Sequence, residues 1–291
     1  MLTILFDGVA YGMLLFILAV GLCVTMGLMN LINLAHGAFA MLGGYLTVVL
    51  MQSFGIPFLV CLPLAFFGAA LVGVLLERTL YRSIYKKSHL EQVLFSIGLT
   101  FMSVATADYL MGAQQQIIQL PDWLKGRTEL FEDTPWALGM GHYRLFIIII
   151  CAVLTIALQY VLSVTQFGSR LRASVDDARV AGGMGINVNR IFAVTFAVGS
   201  GLAGLGGALA TEVLGLDPTF PLKFMVYFLI VVAVGGVSSI TGPLIAALLL
   251  GIADVAGKYY IPKLGSFIVY SLMIAILIWR PQGLFARKGG K

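Results

Sequence analysis

Three polar side chains stand within seven residues of an otherwise apolar run, MNLINLAHGAFAMLGGYL, from Met29 to Leu46. They are Asn30, Asn33 and His36. Amides donate and accept hydrogen bonds, and an imidazole can also carry a proton near neutral pH. Such groups are costly in hydrocarbon and normally face protein or water. The stretch therefore predicts either a packed, hydrogen-bonded helix junction or the lining of a route through the protein.

The residues that follow extend this candidate site. Gly37, Gly43 and Gly44 would let a neighbouring helix or a solute approach the backbone closely. Tyr45 adds a hydroxyl group. Asn33 is placed to cap the helix that we predict to follow, by accepting a backbone N–H. The candidate translocation pathway comprises Asn30, Asn33, His36, Gly37, Gly43, Gly44 and Tyr45.

A histidine in this position could also relay protons in a proton-coupled secondary transporter. Such a relay usually needs an acidic partner inside the membrane. The sequence offers Asp108, Glu212 and Asp254 for that role, and we predict all three toward the ends of spans, at the membrane interface. A channel would need a polar or charged ring along a symmetric pore. We find no such ring in the sequence.

Two glycine-rich stretches resemble nucleotide-binding motifs without meeting their requirements. GIADVAGKY, from Gly251 to Tyr259, has one residue too many before Gly-Lys and a tyrosine where a magnesium ligand should stand. GSGLAG, from Gly199 to Gly204, follows no strand and lies in an apolar helix. We expect a chain without an ATPase site, cofactor or metal of its own. Cys23, Cys61 and Cys151 are predicted to be buried small residues.

Membrane-spanning helices must position these residues. Of the 291 residues, 60% are hydrophobic and 11% are charged, and the mean hydropathy of +0.99 excludes a water-soluble domain. The apolar runs have the ~20 residues that carry a helix across ~30 Å of hydrocarbon. We predict an all-α, polytopic membrane protein with a single domain over residues 1–291. Nine spans are predicted, near residues 8–28, 35–53, 57–76, 92–112, 145–164, 190–214, 222–238, 241–260 and 264–280.

A count of eight spans stays open because VAVGGVSSITGPL interrupts two apolar runs. Gly235, Gly236, Gly242 and Pro243 form this break, which is typical of either a tight turn or a pair of half-helices.

Basic residues predict the orientation of the chain. The segments 77–92, 166–190 and 280–291 hold 12 of the 18 Lys and Arg residues. With nine spans, all three segments lie on one side, which the positive-inside rule assigns to the cytoplasm. The N-terminus is then extracytoplasmic and the C-terminus cytoplasmic. The first span is not preceded by the basic region of a cleavable signal peptide, so we expect it to be retained.

The longest polar segment, about residues 113–144, is predicted on the outer side. Trp123 and Trp136 suit the headgroup region of a membrane, where amphipathic rings accumulate. Two interpretations remain open for this segment. It is either a surface loop with interfacial aromatic residues or a docking surface for an extracytoplasmic partner.

The cytoplasmic segment of about residues 166–190 has helical content. Leu171 to Ala181 are good helix formers, with Ser174 as a cap ahead of two aspartates. Gly182, Gly183 and Gly185 are expected to end the helix. Such a short helix could be a docking site for a motor domain. The alternative is that the segment is a plain surface connection between two spans.

Small residues crowd one predicted span, VGSGLAGLGGALATE, from Val198 to Glu212. Helices in a bilayer associate through close van der Waals contact, which small residues allow. We therefore predict a centrally packed helix, and the glycines could add mobility during a transport cycle. The packing glycines are Gly199, Gly201, Gly204, Gly206 and Gly207.

Three motifs together give the chain a family resemblance. They are NLAHGAF at Asn33–Phe39 followed by GGY, the pattern L-R-A-x-x-x-D-x-x-x-A-x-x-x-G-I-N at Leu171–Asn187, and WRPQGLF at Trp279–Phe285. In combination they resemble the LivH-type permeases of branched-chain amino-acid ABC importers, over nearly the whole chain. The last motif also occurs in sister permeases.

The resemblance implies a subunit of the bacterial inner membrane. It implies a LivM-type second permease, a periplasmic substrate-binding protein and two cytoplasmic ATPase subunits, which would hold the ATP and magnesium. It also implies that the 166–190 segment resembles the coupling helix that enters an ATPase cleft. The matching residues are Arg172, Ala173, Asp176, Asp177, Ala181 and Gly185.

The chain departs from the family pattern at two places. Ala38 stands where related permeases often carry an acidic residue, and Gly182 and Gly183 stand where larger apolar residues are usual. Because of Ala38, urea, short amides and aromatic carboxylates stay open as same-family substrates beside branched-chain amino acids. The two glycines leave the end of the coupling helix open. The proton-coupled secondary transporter is the alternative from another class.

Overall fold

The computed structural model describes residues 1–29, 31–85, 87–130, 138–236, 239–280 and 283–284. Within them the helices are α1 (Leu2–Met29), α2 (His36–Phe54), α3 (Phe58–Leu76), α4 (His89–Met111), α5 (His142–Val164), α6 (Gln166–Asp176), α7 (Ala178–Gly183), α8 (Val188–Leu214), α9 (Phe220–Gly235), α10 (Thr241–Tyr260) and α11 (Gly265–Trp279). A π-helical turn at Glu77–Tyr81 extends α3 to Ile84. Single 3-10 turns lie at Asp122–Leu124 and Pro262–Leu264.

Seven helices of the described chain are long and apolar enough to cross a membrane, namely α1 to α5, α8 and α10. Two further apolar helices, α9 and α11, have 16 and 15 residues. The all-α membrane fold is confirmed, and each of the nine predicted spans coincides with one of these nine helices. The break at Gly235 to Pro243 separates α9 from α10, and the two helices pack against each other there.

The central helices pair in opposite directions. Gly21 of α1 lies against Gly199 of α8, and Leu18 lies against Gly206, so α1 and α8 are antiparallel. Gly8 and Gly12 of α1 lie against Ile252 and Leu248 of α10 in the same antiparallel sense. The side chains of α1 from residue 14 to residue 20 are almost fully buried. These helices form the interior of the bundle.

The two ends of the bundle differ in their coverings. The amino end holds the starts of α1 and α5, and a hairpin of β1 (Arg127–Leu130) and β2 (Leu138–Gly141) covers it. The carboxyl end holds the ends of α1, α5 and α11, with α6 and α7. Within the predicted outer loop, the rings of Trp123 and Phe146 meet edge to face, with 6.0 Å between centroids, and Trp136 lies outside the described residues.

Glycines bring α8 into backbone contact with its neighbours. A Cβ at Gly204 would collide with Ala69 of α3, and one at Gly207 would collide with the carbonyl of Ala40 in α2. The ring of Phe66 in α3 lies directly against Gly201. The structure thus places the five predicted packing glycines of α8 at close contacts with α1, α2 and α3.

The cysteines agree with their prediction. Cys23, Cys61 and Cys151 are buried, and each is a free thiol.

Candidate translocation and coupling sites

Helix α2 begins inside the bundle, and His36 in its first turn is buried there. His36 Nε2 lies 3.0 Å from the carbonyl oxygen of Leu18, so this nitrogen carries the proton and donates it. Leu18 lies 11 residues before the end of α1 at Met29, about 16 Å along the helix axis. The imidazole also meets the ring of Phe228 in α9 edge to face, with 6.3 Å between centroids.

Asn33 organises the connection that leads into α2. Its Oδ1 accepts hydrogen bonds from the backbone N–H of Ala35 at 3.1 Å and from the hydroxyl of Tyr81 at 2.8 Å. The side chain therefore closes a turn just before the helix, whereas the N-cap position itself is Ala35. Nearby, Gln92 of α4 accepts the N–H of Ile32 at 3.2 Å. Asn30 lies outside the described residues.

The glycines of the candidate pathway lie against other backbones. Gly37 lies against Pro221 at the start of α9, and Gly43 lies against Gly204 of α8. Gly44 lies against the side chain of Leu216. The described glycines of the pathway thus meet α8, the connection after it and the start of α9 in this conformation, and their role in transport stays a prediction.

Tyr45 differs from these glycines. Its ring is buried, and its hydroxyl has no hydrogen-bond partner in the part of the chain that the structure describes.

The predicted coupling segment forms two helices where one was expected. Asp177 interrupts it with an extended backbone, and its Oδ1 accepts the N–H groups of Arg179 and Val180 at 2.8 and 2.9 Å. Asp177 is therefore the cap of α7, and the prediction that Ser174 caps a single helix is wrong. The Ser174 hydroxyl instead donates to the carbonyl of Arg170 within α6. A carboxylate that satisfies two orphan N–H groups stabilises the new start.

Two contacts hold α6 to the end of α5. The backbone of Gly168 lies against Leu162, where a Cβ would collide with the carbonyl. The guanidinium of Arg172 donates to that same carbonyl of Leu162. A cavity of about 240 Å³ opens beside this contact, between α6 and the turn that leads into α10. These two contacts join α6 directly to the end of α5.

The remaining coupling residues divide by exposure. Asp176, Asp177 and Gly185 are exposed, Ala173 is partly buried, and Ala181 is buried. Gly185 has a backbone φ of 82°, a conformation that glycine adopts at little cost.

Two apolar residues on this segment were missed by the sequence reasoning. Val180 in α7 and Met184, the C-cap residue directly after that helix, are 56% and 67% exposed. Their i, i+4 spacing places them on one helix face. That spacing inside a polar segment was the available signal.

Charged pairs gather at the amino end. Asp7 of α1 forms an ion pair with Arg144 of α5, and Asp254 pairs with Lys258, one turn further along α10, at 2.6 Å. The side chain of Asp254 is 2% exposed, and it lies within two turns of the end of α10, so the prediction of an interfacial depth stays a prediction. Packing of α10 against α1 encloses it, and the nearby ammonium group makes this burial tolerable.

Asp217 shapes the turn between α8 and α9. Its Oδ1 accepts the N–H of Thr219 at 2.8 Å, and its Oδ2 pairs with Lys223. Partial burial would raise the pKa of Asp217, but the hydrogen bonds from Lys223 and Thr219 outweigh it and lower the pKa below its usual value. Asp217 was not among the residues predicted from the sequence.

A family comparison decides what kind of protein has this architecture. Residues 4–277 match the family described as the branched-chain amino acid transport system, permease component. The chain belongs to this permease family. The family is one of transport components. The seven long apolar helices of the described residues, with two shorter ones, agree with a multi-pass membrane protein.

Curated relatives match over nearly the full length. BraD of Pseudomonas aeruginosa, a high-affinity branched-chain amino acid transport system permease protein, is 26% identical over 97% of this chain and 95% of its own. LivH of Escherichia coli, named in the same words, is 25% identical over 97% and 94%. LivM of Escherichia coli is 24% identical over 94% of this chain and 68% of its own. No solved structure matches this chain.

Proposed function

We propose that this chain is the transmembrane permease subunit of a bacterial ABC importer for branched-chain amino acids. The observation that carries the proposal is the family match across residues 4–277, with relatives whose names state this transport system. The chain would move no substrate by its own chemistry. Separate subunits would bind magnesium and hydrolyse ATP. This chain would bind neither ATP nor magnesium.

The proposed orientation places the amino end outside the inner membrane. Arg170, Arg172 and Arg179 lie on α6 and α7, and Arg78 and Arg82 follow α3 at the same end of the bundle. Cytoplasmic loops carry an excess of such residues. The amino-end hairpin would then face the periplasmic binding protein.

The coupling step is proposed at α6 and α7. The exposed Val180 and Met184 would enter the cleft of a cytoplasmic ATPase, because an apolar pair at a cytoplasmic tip is stabilised by burial against a partner. Movement of that tip would reach α5 through the contact of Arg172 with Leu162. It would reach α8 through the short connection after α7.

Helix α8 would carry the movement toward the start of α2. Gly204 and Gly207 hold α8 in backbone contact with α2, so the two helices cannot slide without moving their neighbours. His36 and Asn33 lie at the end of this chain of contacts. They would respond to the power stroke as part of the helix junction.

Partner subunits complete the proposal. A LivM-type permease would pair with this chain in the membrane. LivM of Escherichia coli is similar to this chain, so the two would be related subunits. Two ATPase subunits would bind at the carboxyl end.

Uptake by the complete transporter in proteoliposomes tests the proposed function. We expect leucine uptake to require ATP and the binding protein, and to continue when an ionophore collapses the proton gradient. Copurification of two ATPases and a second permease is expected as well. Uptake that survives ATP depletion with the gradient intact would identify a secondary transporter instead.

A further inference from the structure

A basic cavity lies at the carboxyl end of the bundle, between the end of α3 and the start of α8. Its volume is about 630 Å³, within the range of ~300 to 1,000 Å³ for small-molecule sites. Arg78 in the π-helical turn and Arg82 directly after it border the cavity on one side. Arg190 in the first turn of α8 borders it on the other, with the amides of Asn187 and Asn189. Two separate helices thus bring three guanidinium groups to one cavity.

These guanidinium groups are accessible to a ligand. Arg78, Arg82 and Arg190 are all exposed. None of the three side chains forms an ion pair or a hydrogen bond with another residue that the structure describes. Each guanidinium has five N–H donors and no acceptor. The cavity therefore presents cationic donors that the described chain leaves to a group from outside.

The carboxylate on the wall of this cavity does not cancel their charge. Glu77 is 2% exposed, and its Oε1 accepts the hydroxyl of Tyr85 at 3.1 Å. Three exposed positive charges thus stand beside one buried negative charge, and the positive end of the α8 dipole lies at the same place. Guanidinium groups bind phosphate through two parallel hydrogen bonds. The lining is therefore suited to a phosphate group with a net negative charge.

The depth of the cavity matches the position of lipid phosphates. Arg78 follows Phe58, the first residue of α3, by 20 residues, which is about 30 Å along a helix axis. The hydrocarbon core of a bilayer is also ~30 Å thick, and the headgroup layers lie outside it. Arg82 lies one turn further along. When α3 crosses the membrane, both guanidinium groups consequently stand in a headgroup layer.

An apolar stripe on α3 leads from the hydrocarbon to the arginines. Leu71 and Leu75 are 62% and 55% exposed. They precede Arg78 and Arg82 at spacings of three or four residues, and all four are exposed, so they lie along one outward face of the helix. Acyl chains can pack on the two leucines while a headgroup reaches the guanidinium groups. This face thus matches an amphipathic molecule with an acidic head.

We propose that an acidic glycerophospholipid binds here, with its phosphate at Arg78, Arg82 and Arg190 and its acyl chains on Leu71 and Leu75. Its headgroup carries no ammonium, as in phosphatidylglycerol, because an ammonium would be repelled by the three unpaired cations. In the proposed orientation the lipid belongs to the inner leaflet. The inference goes beyond the proposed function, since this lipid is neither a substrate nor a subunit of the transporter. It would join the end of α3 to the start of α8.

Native mass spectrometry of the delipidated complete complex tests the site, with dioleoylphosphatidylglycerol as the probe. We expect saturable binding that weakens at least about tenfold in Arg82→Gln, because charged hydrogen bonds to the phosphate are lost. Arg179→Gln is the matched control. It removes the same charge from an exposed position at the same end, and Arg179 does not border the cavity. The control should bind the lipid like the wild type.

A ligand series on the wild-type complex keeps the test independent of folding. Dioleoylphosphatidylcholine has the same acyl chains but carries an ammonium, and glycerophosphoglycerol has the same headgroup but no chains. Both should bind at least about tenfold more weakly than the probe. Equal binding of the phosphatidylcholine would overturn the preference for an acidic lipid. Equal binding of glycerophosphoglycerol, or displacement of the probe by inorganic phosphate, would identify a site for free phosphate instead.

The remaining outcomes also decide the inference. Equal weakening of binding in Arg82→Gln and Arg179→Gln, or no saturable binding to the wild type, would overturn it. Native mass spectrometry weighs each assembly separately, so a loss of ATPase subunits in Arg82→Gln is visible in the same experiment. That loss with unchanged lipid binding would assign the arginine to a protein contact and likewise overturn the lipid site. The proposed transport function is tested separately, by the uptake assay.

Discussion

The imidazole of His36 and the carbonyl of Leu18, with 3.0 Å between Nε2 and oxygen, join the first turn of α2 to the middle of α1. The chain after α1 therefore returns into the bundle before it becomes helical again. Such an interior helix start is tolerated because protein, and not lipid, surrounds it.

Replacing His36 by alanine should reduce transport more than assembly. The imidazole links α2 to α1, so its loss uncouples the two helices while most of the packing remains. We expect initial uptake to fall at least about tenfold and the yield of folded complex to change less than about twofold. Met41→Ala, which truncates another buried side chain of α2, should lower yield and uptake together. The same parallel loss in His36→Ala would assign this residue to packing alone.

Gly207→Val should prevent normal packing of α8. The added side chain would collide with the backbone of Ala40, which cannot move away as a flexible side chain can. We expect an apparent Tm at least several degrees lower, or no monodisperse protein at all, by fluorescence-detected chromatography. Gly98→Val on α4 is the matched control, since open space surrounds that glycine. An unchanged Tm for Gly207→Val would contradict the close contact.

Val180→Asp should weaken the binding of the ATPase subunits and thereby reduce uptake. The side chain is exposed in the single chain, so the variant should insert and fold normally. A charge in an apolar contact with the ATPase would weaken that contact by about 1 to 3 kcal/mol. Copurification of the ATPases and uptake should both fall about tenfold. Ser83→Asp, an exposed position at the same end outside α6 and α7, should have no effect.

The lowered pKa of Asp217 predicts a stability difference that depends on pH. A carboxyl whose pKa is lower in the folded state stabilises it above its usual pKa of 3.8, and this contribution is lost as the pH falls through the lower folded value. Asp217→Asn keeps the turn but removes the charge that pairs with Lys223. Its apparent Tm should lie below that of the wild type at pH 5 to 7.

The difference between these two proteins should shrink below pH 3.8. Asp122→Asn should show no comparable dependence, because that carboxylate is fully exposed. A Tm difference that stays the same from pH 7 to below pH 3.8 would mean that Asp217 stabilises the protein through the turn and not through its charge.

Membrane class, helical content and the nine spans could be derived from the sequence alone. In lipid each helix satisfies its own backbone hydrogen bonds, so length and hydropathy of a local run decide whether it spans. The small residues of α8 likewise carried their own signal, since close helix contact requires them. The i, i+4 spacing of Val180 and Met184 was equally local, although the sequence analysis passed over it.

Only the tertiary structure decided where these helices meet. Asp7 forms an ion pair with Arg144, and Asp254 is buried, because helices that are far apart in sequence pack side by side. The spacing of Asn33 and Tyr81 in the sequence does not predict the hydrogen bond between them. Local rules act on neighbours along the chain, whereas contacts between helices depend on the depth and rotation of each helix, which many weak packing interactions set together.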